Sequence, residues 1–191
     1  MLAAARYLRQ WAIGIFIFLT LLFGACDDDN HLVAQIIDDN LESGNNWTFH
    51  NVAPAVHEDF FDNTVSASSS HSLTIKSTKA EPSGFSFWRL TWTPQDIRVG
   101  SSLDLKVKVK VTDVTGDGAY IALRGDGTSP NIFFETTQKR VAINGNKDFQ
   151  TYTLKLDSYP EGINQMFIFL IFDGKSTGSV NFDDISLTSH P

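Results

Sequence analysis

The chain predicts an all-β fold, an antiparallel sandwich or barrel, and three observations carry that reading. One segment alternates cleanly with period two. Short apolar and aromatic runs recur between turn sequences. No stretch after residue 26 shows a helical period. The alternation is clearest in "SLDLKVKVKVTDV", residues 102–114, where Leu103, Leu105, Val107, Val109 and Val111 interleave with Asp104, Lys106, Lys108 and Lys110. Such a pattern puts the aliphatic side chains on one face and the charges on the other. A strand with one buried and one wet face belongs to an antiparallel sheet.

The elements follow in chain order. Arg6 and Arg9 precede an apolar run from Trp11 to Phe23, the layout of an export signal. The run is shorter than the roughly 20 apolar residues of a transmembrane helix. Cys26 is the single cysteine of the 191-residue chain, so no disulfide can form within it. "FGAC", residues 23–26, resembles a bacterial lipobox, with Phe23 in place of the usual Leu. The resemblance implies cleavage after Ala25, a lipid on Cys26, and a location at the cell envelope. An ordinary signal peptide, or an uncleaved anchor with an incidental cysteine, remains the alternative. Asp27, Asp28 and Asp29 resemble the surface-export signal of Bacteroidetes-type lipoproteins, which implies the outer membrane or cell surface. In enterobacteria an Asp there would favour inner-membrane retention. Without that context the aspartates are a solvated tether. The organisation expected is a signal over residues 1–25, a tether over 26–35 and one domain over 36–191.

The formal charge is -7, and loss of Arg6 and Arg9 with the signal would bring it near -9. That excludes a nucleic-acid partner, which needs a basic footprint. It also leaves membrane attachment to a lipid anchor rather than to anionic headgroups. Fifteen Phe and four Trp provide the apolar area of a core without a disulfide.

Strands are predicted at "HSLTIKS" (71–77), "GFSFWRLTW" (84–92), 102–114, "GAYIALRG" (118–125) and "NIFFETTQKRVAI" (131–143). Three more are "FQTYTLKL" (149–156), "QMFIFLIFD" (165–173) and "SVNFDDISL" (179–187). "TGDG", "GDGTSPN", "NGNKD" and "DGKSTG" read as the turns between them. Residues 53–70 read as a long loop over one sheet face.

Five segments occur in a familiar order: "NLESGNNWTF" (40–49), "SSSHSLTIKS" (68–77), "DIRVGSSLDLKVKVK" (96–110), "NKDFQTYTLKL" (146–156) and "GSVNFDDISL" (178–187). This series resembles the jelly-roll carbohydrate-binding modules of the xylan- and cellulose-binding kind, within the galactose-binding-domain-like superfold. Leu103 replaces the family's usual Tyr and Phe149 its usual Trp. The resemblance implies a single antiparallel jelly-roll β-sandwich that binds a polysaccharide or other glycan without catalysis. It also implies a structural calcium between Glu42 and Asp183. Fold likeness does not decide function, so a glycan-active enzyme and a structural envelope protein that binds another protein stay open.

A sugar-binding surface needs flat rings and planar hydrogen-bonding groups. In "FSFWRLTW", Trp88 and Trp92 share one face and Phe87 and Arg89 the other. Either the tryptophans enter the core and Arg89 points outward, or they form a stacking platform. Phe133 and Phe134 face opposite ways, so one may reach solvent, and Gln138 and Arg140 could donate to hydroxyls. Lys106, Lys108 and Lys110 read as a solvated strand face, or, on a groove, as a preference for an acidic polysaccharide. His31, His50, His57 and His71 lack metal-ligand spacing. Glu58, Asp59 and Asp62 do not show the opposed pair that glycoside hydrolysis requires.

Overall fold

The computed structural model describes residues 33–42, 46–68 and 70–191. Cys26, the signal segment and the aspartates behind it lie outside the described residues. The domain is an antiparallel jelly-roll β-sandwich of ten strands. In order these are β1 (Ala34–Asp39), β2 (Trp47–Val52), β3 (Glu58–Asp62), β4 (Ser72–Ser77) and β5 (Phe85–Trp92). They continue as β6 (Ser102–Asp126), β7 (Phe133–Thr136), β8 (Ile143–Leu156), β9 (Gln165–Asp173) and β10 (Gly178–His190).

One strand belongs to both layers. The first part of β6 lies between β8 and β10, and β10 pairs onward with β4 and, nearer its C-terminus, with β1. β3 closes that layer beyond β4. The last part of β6 lies between β7 and β9, and the second layer continues through β5 to β2. The core fills the space between, with Leu103, Leu105, Ile121, Leu123, Phe172 and Phe182 all fully buried.

The segment "TGDG" therefore bends a strand instead of ending one. Gly116 and Gly118 take positive φ there, at 72° and 78°, a region that suits glycine. A β-carbon on either would run into a backbone carbonyl oxygen, that of Lys175 or of Ile143. "NGNKD" is likewise no chain reversal, because β8 passes through it with register shifts against β6. β1 begins at Ala34, inside the stretch read as tether. Residues 53–70 include a strand, β3. Residues 63–68 do cover a sheet face: Ser72 Oγ donates to the Val65 carbonyl, and Ala67 N donates to Asp183.

The lysine stripe lies on the outer face of the first layer and is solvated. Lys108 pairs with Asp184 at 2.7 Å and Lys110 with Asp148 at 3.1 Å. At the base of the core, His57 is only 4 % exposed and stacks obliquely on Phe172, ring centroids 5.3 Å apart. Neither ring nitrogen has a hydrogen-bond partner among the described residues.

Burial holds the His57 pKa below its ordinary value of 6.5, against the opposing pull of Asp173 and Glu81. The unfolded chain therefore takes up this proton first. Stability is fully present above about pH 6.5 and falls as the pH drops toward the folded-state pKa. Thermal melts between pH 7.5 and 5.5 should show this loss, and His57→Leu should flatten most of it. An equal pH slope in the two proteins would reject the assignment; His50, shifted the same way, accounts for any remainder.

Candidate functional site

The outer face of the second layer is apolar and aromatic, unlike that of the first. Strand pairing arranges its side chains in rows across the sheet. One row runs Val52, Phe85, Asp173. The next runs His50, Phe87, Ile171, Tyr120. A third runs Thr48, Arg89, Phe169, Ala122, Thr136, and a fourth runs Thr91, Phe167, Arg124, Phe134. Strand alternation produces the set, since each of these residues neighbours one that enters the core.

The rings contact one another in a chain. His50 stacks on Phe87 at 5.1 Å, Phe87 meets Phe169 edge-on at 5.3 Å, and Phe169 lies near-parallel to Phe167 at 5.9 Å. Arg124 sits over Phe167, 5.3 Å from its centroid. Aromatic contacts of this kind contribute about 0.5–1.5 kcal/mol each beyond burial. The face is not sealed: Phe85, Phe87 and Phe169 are partly exposed and Phe134 is 45 % exposed.

Polar groups are interleaved with the rings. Arg124 donates to both oxygens of Asp126, Nε at 2.7 Å and Nη2 at 2.6 Å. That contact comes first among the causes that hold the Asp126 pKa below its usual value. Arg89 has no such partner; its Nε is buried and unbonded. The His50 pKa is lowered by burial and then by the Arg89 charge, so the ring stays neutral at pH 7. Tyr120 is pushed up to about 12 by burial, then by Asp173 and Asp117. It remains a neutral phenol, able to donate and to accept. Tyr120 also opens onto a cleft of about 400 Å³ that Asp117, Gln138, Lys139, Arg140 and Asn144 help to line.

The structure sorts the residues singled out from the sequence. Trp88 is 4 % exposed and donates from Nε1 to the Thr74 carbonyl at 3.2 Å, so it belongs to the core and cannot stack a ligand. Trp92 lies on the same inner side and packs against the core, its Nε1 buried and unbonded. The platform reading of these two residues is therefore corrected: their bulk goes inward, which turns Phe87 and Arg89 outward. Phe133 packs against the core, while Phe134 and Arg89 are on the aromatic face and Gln138 is on the adjoining cleft. The sequence reading did not reach Phe167, Phe169, Tyr120, Arg124 and His50. The signal for Phe167 and Phe169 is in "QMFIFLIFD", which is apolar at odd and even positions alike.

Glu42 and Asp183 meet one loop. Ser70 donates to Glu42 from its backbone and its hydroxyl, each at 3.2 Å, and Ala67 N donates to Asp183 at 2.6 Å. Asp183 is fully buried. Two carboxylates that accept from one loop, one of them out of water, are of the kind a calcium uses, and both Asp183 oxygens already take a backbone N–H, from Ala67 and Asp184. No group of three or more His, Cys, Asp or Glu that could hold a metal gathers among the described residues. A calcium here would therefore need backbone carbonyls as well.

No protein-family model and no curated protein matches the sequence. Solved structures match the fold. One is the Stig cyclase Fisc from Fischerella sp. TAU, in complex with an indole compound, at 15 % identity and a TM-score of 0.62 over 83 % of this chain and 98 % of that one. Another is the CBM22-1 xylan-binding domain from Paenibacillus barcinonensis Xyn10C, at 8 % identity and 0.54, over 82 % and 95 %. A third is the enzymatically active domain of tailspike protein 4 of bacteriophage CBA120, at 15 % identity and 0.54, over 78 % of this chain and 20 % of that one. At these identities the likeness is one of fold, a carbohydrate-binding-module-like jelly roll that also carries enzymes.

Proposed function

We propose that the aromatic outer face of the second layer binds a glycan without transforming it, on a protein held at the cell envelope by a lipid on Cys26. The observation that carries the reading is the pair of half-exposed rings Phe87 and Phe169, backed by the buried Phe167 and set among hydrogen-bonding side chains. Sugar rings present C–H faces that stack on such a surface and hydroxyls that meet groups like Tyr120, Gln138 and Arg89. The xylan-binding neighbour is in keeping with this.

Hydrolysis of a glycoside needs two carboxyls about 5–9.5 Å apart. Asp126 and Asp173 stand opposite the two ends of the paired β6–β9 segment, roughly 26 Å apart at ~3.3 Å per residue. A second reading, a glycan-active enzyme, draws on Asp117 and Asp173, both of which act on Tyr120.

Glycan-array binding of the purified protein tests the first reading. Phe169→Ala and Phe134→Ala should weaken binding about tenfold, the loss of ~1.4 kcal/mol of stacking. Phe134→Ala should melt like the parent, whereas Trp88→Ala should lose about 3–5 kcal/mol of stability. An array without a binder, or face variants that bind as tightly as the parent, would sink the proposal. Reducing ends released from a bound glycan, and lost in Asp173→Asn, would favour the enzyme.

The calcium belongs to the same proposal. Glu42 would hold Ser70 and Asp183 would hold Ala67, tying the chain ahead of β4 to the segment after β1 and to β10, with the ion bound only in the folded state. At a hundredfold excess over its Kd, calcium would then add about 2.7 kcal/mol. Excess chelator should lower the Tm, and an unchanged melt rejects the ion.

For the anchor, Cys26→Ser should abolish incorporation of a radiolabelled fatty acid. Equal labelling of the variant would remove the lipid from the proposal.

A further inference from the structure

The charge on the aromatic face is distributed unevenly, and the imbalance names a class of ligand. Arg124 is neutralised by Asp126 and Arg140 by Glu135. On the other layer Lys108 and Lys110 are engaged by Asp184 and Asp148. The Arg89 side chain makes no ion pair and no hydrogen bond among the described residues, and its buried Nε has surrendered water without a replacement. An unsatisfied donor of this kind costs stability. The fold gains nothing visible from the guanidinium, whose unburied Nη nitrogens are left to face solvent.

Its position is specific. Arg89 lies directly across from Phe169 on β9 and from Thr48 on β2, and two positions along β5 from Phe87. Side chains directly opposite on neighbouring strands stand about 4.5–5.5 Å apart at Cβ. A sugar ring stacked on Phe169 therefore places its rim over Arg89. In a uronic acid the rim carries a carboxylate where a neutral hexose carries a hydroxymethyl group. The guanidinium fork matches the two oxygens of a carboxylate in one plane.

Resting on the glycan-binding reading, we infer that the ligand is an acidic polysaccharide of uronic acid residues and that Arg89 is the residue that reads the carboxylate. The unpaired fork between Thr48 and Phe169 is the recognition element, and the phenylalanines supply stacking that does not distinguish acid from neutral sugar. His50 beside it is held neutral by burial and by this same charge, so it adds a hydrogen-bonding ring without contributing a second cation.

Binding of the full chain, solubilised in detergent, to polygalacturonate and to its fully methyl-esterified form isolates the carboxylate on one backbone. The parent should bind the acid about tenfold or more tightly than the ester, as expected for a charge-assisted bidentate contact, with a preference that salt reduces. Arg89→Met should erase the preference by weakening the acid about tenfold more than the ester, and Arg89→Lys should keep part of it. Phe169→Ala should weaken both forms by the same factor. Equal parental affinity for acid and ester overturns the inference, as does equal loss of both in Arg89→Met. Dextran sulfate bound more tightly than polygalacturonate through Arg89 overturns the carboxylate assignment. Binding of neutral xylan, dependent on Phe169, with neither galacturonan form bound refutes this inference and leaves the glycan reading standing. Failure to bind any glycan refutes both.

Discussion

The architecture depends on one strand serving both layers of the sandwich. β6 runs for 25 residues and presents Leu103 to Val111 inward in the first layer and Ala119, Ile121 and Leu123 inward in the second. Val114 is buried between them, so alternation slips once before it and once after, where the register against β8 also shifts. Each single slip would turn every following side chain to the wrong face, and the pair restores the pattern. Bulges and positive-φ glycines absorb the change of direction at the bend. The same bend puts Gly116 and Asp117 beside Tyr120 and so forms one wall of the cleft next to the aromatic face. Architecture and candidate site share this constraint.

The two outer faces differ for a physical reason. The first layer meets water with lysines, aspartates and threonines, and its remaining surface is covered by the loop that Ser72 and Asp183 hold. The second layer meets water with a row of phenylalanines. A monomeric protein rarely keeps a contiguous apolar patch exposed unless the patch is used. Alternation alone would have permitted polar residues at positions 85, 87, 167 and 169, since the core needs only their neighbours. Phenylalanine at 85, 87 and 169, each half-exposed, is a cost to solubility that the fold does not require, while Phe167 is buried under Arg124.

Much of the fold was legible because the strands that pack on one side only announce themselves by alternation. β4, β5 and β9 lie within a residue of where turn residues and pattern place them, and β10 starts one residue earlier and runs three residues further than predicted. Errors fell where backbone geometry overrides local composition. "TGDG" has the composition of a turn, but it lies where a strand changes layer, and its glycines allow β6 to continue. β1, β2 and β3 escaped notice because they are short edge or peripheral strands whose side chains are mostly exposed or half-buried, so none carries a long buried apolar stripe. The site was legible only in part. Arg89 followed from the choice to bury Trp88 and Trp92. Phe169 and Phe167 could not be separated from core residues, because a strand apolar on both faces does not say which face is covered. Only the pairing of β9 between β5 and β6 decides that.

The composition of the face divides its work between two kinds of side chain. Phenylalanine offers a ring with no hydrogen-bonding group, so the half-exposed Phe87 and Phe169 can hold a flat partner but cannot select among partners of the same shape. Selection must come from the polar groups set between them. Two of these are already committed: Arg124 and Asp126 satisfy each other on both oxygens, and a ligand that broke this pair would have to replace it. Tyr120 and His50 are neutral and can meet a hydroxyl of any sugar. Arg89 differs from all of these because its charge is unspent, at a position flanked by a ring on the adjacent strand and another two residues away along its own. In a chain whose formal charge is -7, an anionic polymer would be repelled by the protein as a whole, and that repulsion is screened beyond about 8–10 Å in ordinary salt. Attraction at Arg89 acts at contact, where screening is weakest. An acidic glycan would thus be admitted at this face only in the register that brings a negative group onto the guanidinium, and the unfavourable net charge would sharpen the selectivity of the site.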